Sequence, residues 1–377
     1  AYVRQAIEGG LTGEFTKRFE SRFAQKFKSE YAIAVNSGTS ALHAAMAALD
    51  IGPGDEVIVP PLTFIATSFA PLYVGAIPVF ADVDPQTFTI DPNKIRKKIT
   101  AKTKAIITVS LYGLSPDMDA VMAIALEYGL KVVEDNAQCF WGSYKGKIVG
   151  TSGHVSVFSL QRSKQLTSGD GGIAITNDEN IAEKIRKFSD LGYKTLTAKP
   201  ISNENFKETI QQPNFERHEL VGYNFRLPEV CAAIALAQLE KLDIFVKKRI
   251  DIGLIYAEAV RGCEWLTPQR TPEGIVHTYW TFVAKLEPQK TNISWSEFRK
   301  AFLERGGDRF YGAWGLSYLE PALKGKSYPD HNVYYERGLC PVAESLQPYL
   351  IQFKTNFETL DLYSGLHSNT NSQFLNQ

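Results

Sequence analysis

Cysteine is scarce in this chain: four in 377 residues, at Cys139, Cys231, Cys263 and Cys340, with no CxxC pair among them. That scatter excludes zinc-ribbon spacing and a disulfide framework, and it fits buried thiols in a reducing, cytoplasmic setting. No metal is expected. Net charge is lacking too, with 41 Lys plus Arg against 41 Asp plus Glu. A balanced chain projects no global field, so neither nucleic acid nor a membrane is expected as a partner; a few local arginines still suffice for a small anion. No apolar run approaches the roughly 20 residues that span a bilayer. Internal repeats and long low-complexity segments are missing as well. The first residues already read as a helix, YVRQAIEGG, so the natural N-terminus is expected to lie upstream.

What is present is ample apolar material: 44% hydrophobic and 12% aromatic residues, enough for two domains at this length. From 37 to 178, short runs rich in Val and Ile alternate with amphipathic stretches such as 116–128. The runs are EVIVP (56–60), IPVFADV (77–83), AIITVSL (105–111), KVVED (131–135), VSVFSL (155–160) and GGIAITND (171–178). This alternation predicts an α/β domain with a mainly parallel, helix-covered sheet. Residues 196–220 are polar and read as an excursion. The helical pattern of 228–259 predicts one long helix leading into a smaller C-terminal α+β domain, with a strand in HTYWTFVAKL (277–286) and a helix in WSEFRKAFLERGG (295–307). The expected division is 1–245 for the large domain, with the first 30 or so residues packing on the small one, and 246–377 for the small domain with a frayed polar tail.

Three elements carry candidate chemistry. In NSGTSAL (36–42) a strand-like AIAV gives way to a helical pattern, and small residues there leave backbone N–H groups open to a phosphate; an ordinary helix cap is the alternative. Glu134 and Asp135 end an apolar strand, where α/β folds place their ligands, although a helix cap also accounts for an acid there. Lys164 follows another strand in a loop closed by Gly169, Gly171 and Gly172. Such a lysine is either a solvated surface charge or a covalent catalyst. Taken together the three match what pyridoxal 5'-phosphate needs: a phosphate anchor, an acid for the pyridine nitrogen, a lysine for the aldehyde, and a flat side chain, which Phe64 supplies.

The same blocks make the chain resemble the DegT/DnrJ/EryC1/StrS group of sugar aminotransferases, which share the fold-type I architecture of pyridoxal-phosphate-dependent transferases. The resemblance rests on NSGTSAL (36–42), GDEVIVPPLTFIAT (54–67), GAIPVFADVD (75–84), EDNAQ (134–138), FSLQRSKQLTSGDGGIAITND (158–178) and GYNFRLPEVCAAIALAQLEKLD (222–243), in the family's order. It implies that Gly38, Thr39 and Ser159 hold the phosphate, that Phe64 and Ala137 lie on the two ring faces, and that Asp135 pairs with the pyridinium nitrogen. It further implies that Gln138 reaches the ring hydroxyl, that Lys164 forms the internal aldimine, and that Asn224 reaches the phosphate of a neighbouring subunit, making a homodimer with shared sites. Two departures stand out. Trp141 occupies a position where the family usually has glycine, and Asp170 replaces the usual Glu before Gly171.

The implied activity is transfer of an amino group from glutamate or glutamine to a keto-sugar, with a nucleotide-linked one as the first choice, in amino-sugar biosynthesis. A lysine rather than a histidine at 164 argues against the sugar-dehydratase branch of the family. Gln161, in the pattern Gln-x-x-Lys-x-Leu-Thr, looks instead like relatives that aminate a scyllo-inosose-type cyclitol ketone or make aminohydroxybenzoate. A non-catalytic regulator is the remaining alternative, and the intact lysine, acid and phosphate set disfavours it. Gln161, Arg217 and Arg226 are the candidate substrate contacts; Lys194 and Lys199 are further cations near them.

Overall fold

A computed structural model of the chain describes residues 1–199 and 211–357, so part of the polar excursion and the polar tail lie outside the described residues. The strands fall where the Val- and Ile-rich runs predict. In chain order they are β1 (Tyr31–Val35), β2 (Glu56–Val59), β3 (Ile77–Phe80), β4 (Thr103–Val109), β5 (Lys131–Asp135), a short hairpin of β6 (Ser143–Tyr144) and β7 (Lys147–Ile148), β8 (Val155–Ser159) and β9 (Gly172–Thr176). Seven of them form one sheet in the order β1-β9-β8-β5-β4-β2-β3. From β8 to β3 every pairing is parallel, and β9 runs antiparallel to both its neighbours, β8 and β1. The four central strands β2, β4, β5 and β8 are almost wholly buried, as expected for a sheet covered on both faces.

The first two helices, α1 (Tyr2–Glu8) and α2 (Glu14–Phe27), pack mainly on elements of residues 1–245, with Val246 and Ile250 in the same cluster. Phe15, Phe19, Phe23 and Phe27 fall at four-residue steps on one face of α2 and are all buried. They meet Phe140, Phe158, Ile173, Ala232 and Leu236 of the large domain, with Phe23 and Phe27 stacked at 4.2 Å. Burying four such rings contributes on the order of 1.5–3 kcal/mol each. A buried pair completes the seam: Arg186 forks onto Glu20 of α2 (3.1 and 2.9 Å), whose carboxylate also accepts the Ala34 N–H of β1.

The helical stretch after Pro228 is also two helices rather than one, Glu229–Leu239 and Leu242–Ala259, interrupted at Glu240 and Lys241. The second carries the chain across the expected boundary near 245. Beyond it, Leu266–Pro268, Thr281–Leu286, Leu350–Lys354 and Tyr311–Gly312 form an antiparallel four-stranded sheet in that order. Its aromatic core includes Tyr256, Phe282, Phe298, Phe302, Phe310 and Phe353. The predicted helix Trp295–Glu304 forms with a capping box between Ser294 and Glu297.

Candidate active site

The residues singled out in the sequence for chemistry before 190 lie at or follow the ends of β1, β2, β5 and β8. Helix α3 (Gly38–Ala48) starts directly after β1, with the Ser37 hydroxyl accepting the Ser40 N–H at 3.0 Å. This cap leaves the Gly38 and Thr39 N–H groups without a protein acceptor among the described residues, at the positive end of an 11-residue helix. Gly38 is required there: a Cβ would stand 2.8 Å from the Cβ of Ser159. Gly172 is equally constrained, since its Cβ would meet the Ser37 carbonyl oxygen at 2.3 Å. The two glycines bring the helix start against the end of β8 and the start of β9, so the Gly38 backbone and the Ser159 hydroxyl lie side by side.

The adjacent acids Glu134 and Asp135 have separate tasks, because successive residues of a strand point to opposite faces. Glu134 accepts the N–H groups of Gly150, Ser152 and Gly153 (3.0, 2.9 and 2.6 Å) and so fastens the loop before β8. Asp135 accepts the Thr67 hydroxyl at 2.7 Å and the Ala137 N–H at 3.1 Å. Among the described residues no lysine or arginine pairs with it within 4 Å. Burial pushes its carboxyl above the usual carboxylate range, while Thr67, Ala137 and the charge of Lys164 pull the other way. A buried acid held by two neutral donors is set up for a cation supplied from outside the chain.

Lys164 is half-buried, with Nζ 4.4 Å from the centroid of the Trp280 ring. Burial is the main cause of its lowered pKa, about 8; Arg249 lowers it further and Asp135 opposes. Phe64 exposes half of its ring and meets Trp314 edge-on at 5.6 Å; Trp314 in turn stacks on Trp280 at 5.7 Å. Gln138 is fixed by its carboxamide oxygen, which accepts the Tyr112 N–H at 2.7 Å, so its NH2 is the donor left to face a ligand. Ala137 is half-buried beside Asp135.

This set fits pyridoxal 5'-phosphate on the geometry alone: unpartnered helix-start amides with a hydroxyl, a buried acid lacking a cation, an exposed flat ring, and an amine with a depressed pKa. Thr67, Trp280, Trp314 and Arg249 escaped the sequence reading. Thr67 lies one turn beyond Phe64 and was in principle visible. The other three lie more than 80 residues from Lys164 and carry no local signal.

Trp141 adopts φ +61°, in the left-handed region that favours glycine. Its ring packs on α2, edge-on to Phe27 at 5.6 Å and under Lys26 Nζ at 4.4 Å. The replacement of glycine therefore costs local backbone strain and is offset by contacts on the side of α2. Asp170 is exposed in its turn.

The candidate substrate residues are engaged within the chain. Gln161 accepts both the N–H and the hydroxyl of Ser163 (2.9 and 2.7 Å), a turn that shapes the lysine loop. Arg217 donates to the Phe215 carbonyl, and Arg226 pairs with Asp190. Lys194 and Lys199 lie 3.7 and 3.9 Å from Glu216 and Glu30. Asn224 bridges to Asp190 and, with Arg226, lines a cavity of about 630 Å³ bounded also by Thr197 and Glu229. Among the described residues no cluster could hold a metal ion, and no helix is long and apolar enough to cross a membrane.

Comparison with known proteins agrees with this geometry. The model of the DegT/DnrJ/EryC1/StrS aminotransferase family matches residues 1–358. The GDP-perosamine synthase of Vibrio cholerae is 33% identical over 345 residues, covering 90% of this chain and 89% of that protein. The GDP-perosamine synthase of Escherichia coli is 38% identical over 282 residues, 74% of this chain and 72% of that one. Among solved structures, an aminotransferase from Psychrobacter cryohalolentis superposes with a TM-score of 0.86 at 32% identity, covering 99% of this chain and 94% of its own.

Proposed function

The chain belongs to the DegT/DnrJ/EryC1/StrS aminotransferase family and is a pyridoxal-phosphate-dependent aminotransferase, and we propose that it transfers an amino group from glutamate or glutamine to a nucleotide-linked keto-sugar. The observation that carries the site assignment is the convergence of Lys164, Asp135 and the Gly38–Ser159 contact at the strand ends on one side of the sheet. The GDP-perosamine synthases among its relatives favour the nucleotide-linked substrate. No geometry around Gln161 favours a cyclitol, since its side-chain oxygen is spent on Ser163.

The roles follow from the residues. Gly38, Thr39 and Ser159 would hold the phosphate, Phe64 and Ala137 would confine the ring, and Gln138 would donate to its hydroxyl. Bound pyridoxal phosphate supplies an electron sink that stabilises negative charge at the reacting carbon. Asp135 keeps a positive charge on the ring nitrogen, which is the condition for that sink. Lys164, with its pKa lowered to about 8, loses its proton far more readily near neutral pH than a free lysine, so Nζ would serve both as the attachment point and as a base. It is placed to take a proton from the donor's α-carbon and to return one at the acceptor carbon.

The working form in this reading is a cytoplasmic homodimer in which Asn224 of each subunit reaches the phosphate bound by the other and Arg226 borders the substrate groove. Support comes from an exposed aromatic patch, with Tyr73 and Tyr223 both packed on His43 and each more than 40% exposed, beside Val221 at 89%. Four free cysteines suit a reducing compartment. The test of the substrate is competition: guanosine, uridine and thymidine diphosphates are assayed against amination of a keto-sugar. Inhibition by one of them supports a nucleotide groove. Inhibition by none at millimolar concentration, together with amination of a scyllo-inosose-type ketone, sinks it.

A further inference from the structure

Arg249, on the helix Leu242–Ala259, is 7% exposed and has an unusual set of partners. One terminal nitrogen donates to the Trp280 carbonyl at 2.9 Å, and the other to the carbonyls of Ser163 (3.0 Å) and Lys164 (3.1 Å). Among the described residues no carboxylate lies within ion-pair distance of it. The Trp280 indole N–H donates to the same Ser163 carbonyl at 3.0 Å, while the face of that indole lies against Lys164 Nζ. The peptide units on either side of the Lys164 α-carbon are thus gripped by a guanidinium, and the far end of its side chain rests on a ring tied to the same carbonyl.

A buried cation without a counter-ion is costly, and burial holds the Arg249 pKa down at about 10. Bracing a loop needs no charge, since neutral amide donors such as those of Gln165 suffice a few residues away, where Nε2 donates to the Gln138 carbonyl at 2.8 Å. The retained charge calls for a function, and the Lys164 amine is a group that it influences.

We propose that Arg249 is a positioning residue for Lys164, clamping with Trp280 the peptide units of residues 163 and 164 so that Nζ is held over the indole face and under an uncompensated positive charge. This rests on the reading of Lys164 as the cofactor lysine. Burial is the main cause of the lowered Lys164 pKa; the Arg249 charge adds a smaller push in the same direction, and Asp135 opposes it. The fork supplies direction and the charge supplies the bias, so the two are separable by substitution.

The test uses full-length protein freed of cofactor, with the pH dependence of acetic anhydride labelling at Lys164 followed by peptide mass spectrometry. Wild-type protein is expected to show a midpoint of about 8, and Arg249→Met a midpoint moved upward from it but still below the ordinary 10.5, because burial, the larger cause, is kept. Arg249→Lys keeps the charge and loses the fork: its midpoint stays low, while kcat of the reconstituted enzyme falls about tenfold or more at little-changed KM. Trp280→Phe keeps the ring face and loses the indole N–H, and should show the same kcat loss in milder form. Should Arg249→Met fail to fold, Arg249→Lys and Trp280→Phe decide the matter. Lowered melting temperatures with unchanged labelling midpoints and unchanged kcat in the folded variants would make Arg249 a plain structural brace and overturn the proposal. Borohydride reduction of the wild-type holoenzyme separates the two readings: cofactor trapped on another lysine defeats the assignment of Lys164, whereas the labelling midpoints speak for or against Arg249 without any cofactor.

Discussion

The hydroxyl of Thr67 donates to Oδ2 of Asp135 at 2.7 Å, with both side chains buried, so the turn that begins at Phe64 also orients the acid across the ring site. Replacing Thr67 with Val keeps the shape and removes this charge-assisted bond, about 1.5–3 kcal/mol. The expected result is a cofactor dissociation constant raised about tenfold or more. Unchanged affinity in equilibrium titration would show that the Ala137 N–H alone suffices to orient Asp135.

Asp135→Asn should retain some cofactor and lose most activity, because a neutral amide cannot hold positive charge on the ring nitrogen. The expected fall in rate is two orders of magnitude or more, about 2.7 kcal/mol of barrier. Near-normal turnover would leave Asp135 as a structural acid like Glu134.

Lys164→Ala should abolish both turnover and the covalent attachment of cofactor, with the fold intact. The lysine side chain contacts the Trp280 face and contributes no buried hydrophobic surface to the core. Peptide mapping after borohydride reduction reads the attachment directly, and a labelled peptide elsewhere contradicts the assignment.

Asn224 tests the shared site. Lys164→Ala and Asn224→Ala subunits, each inactive alone, are mixed under conditions of proven exchange. A heterodimer then has one site with both defects and one with neither, so activity should exceed that of either parent. No gain would count against a composite site.

His277 predicts an acid limb in stability. Its Nδ1 accepts the Tyr279 N–H at 2.9 Å, and Nε2 lies 3.1 Å from the Gln269 side-chain oxygen, an arrangement that fits only the neutral ring protonated at Nε2. Burial holds its pKa down at about 3, against an ordinary 6.5. Between those values the unfolded chain binds a proton that the folded chain refuses, so stability rises with pH and is lost on acidification below 6.5. The contribution is about 1.4 kcal/mol per pH unit. His277→Gln should be less stable at pH 7 yet flatter between pH 6.5 and 5 in urea unfolding; parallel slopes would show that His277 accepts its proton without penalty.

The strands of the parallel sheet, the helix start at Gly38, the lysine loop and the acid were legible in the sequence, because each is a local pattern: a Val- and Ile-rich run, small residues at a helix start, a carboxylate closing a strand. The expected single helix after Pro228 became two, and α1 and α2 joined the large domain, because those outcomes depend on what the Phe15–Phe27 stripe meets in space. Glu134 and Asp135 are indistinguishable as neighbours in the chain, and only the pleat of β5 gives one to the loop before β8 and the other to Thr67 and Ala137, beside the proposed cofactor site. The setting of Lys164 was least legible of all. Arg249 and Trp280 stand 85 and 116 residues beyond it and grip it through backbone carbonyls, which every residue possesses and no sequence pattern records.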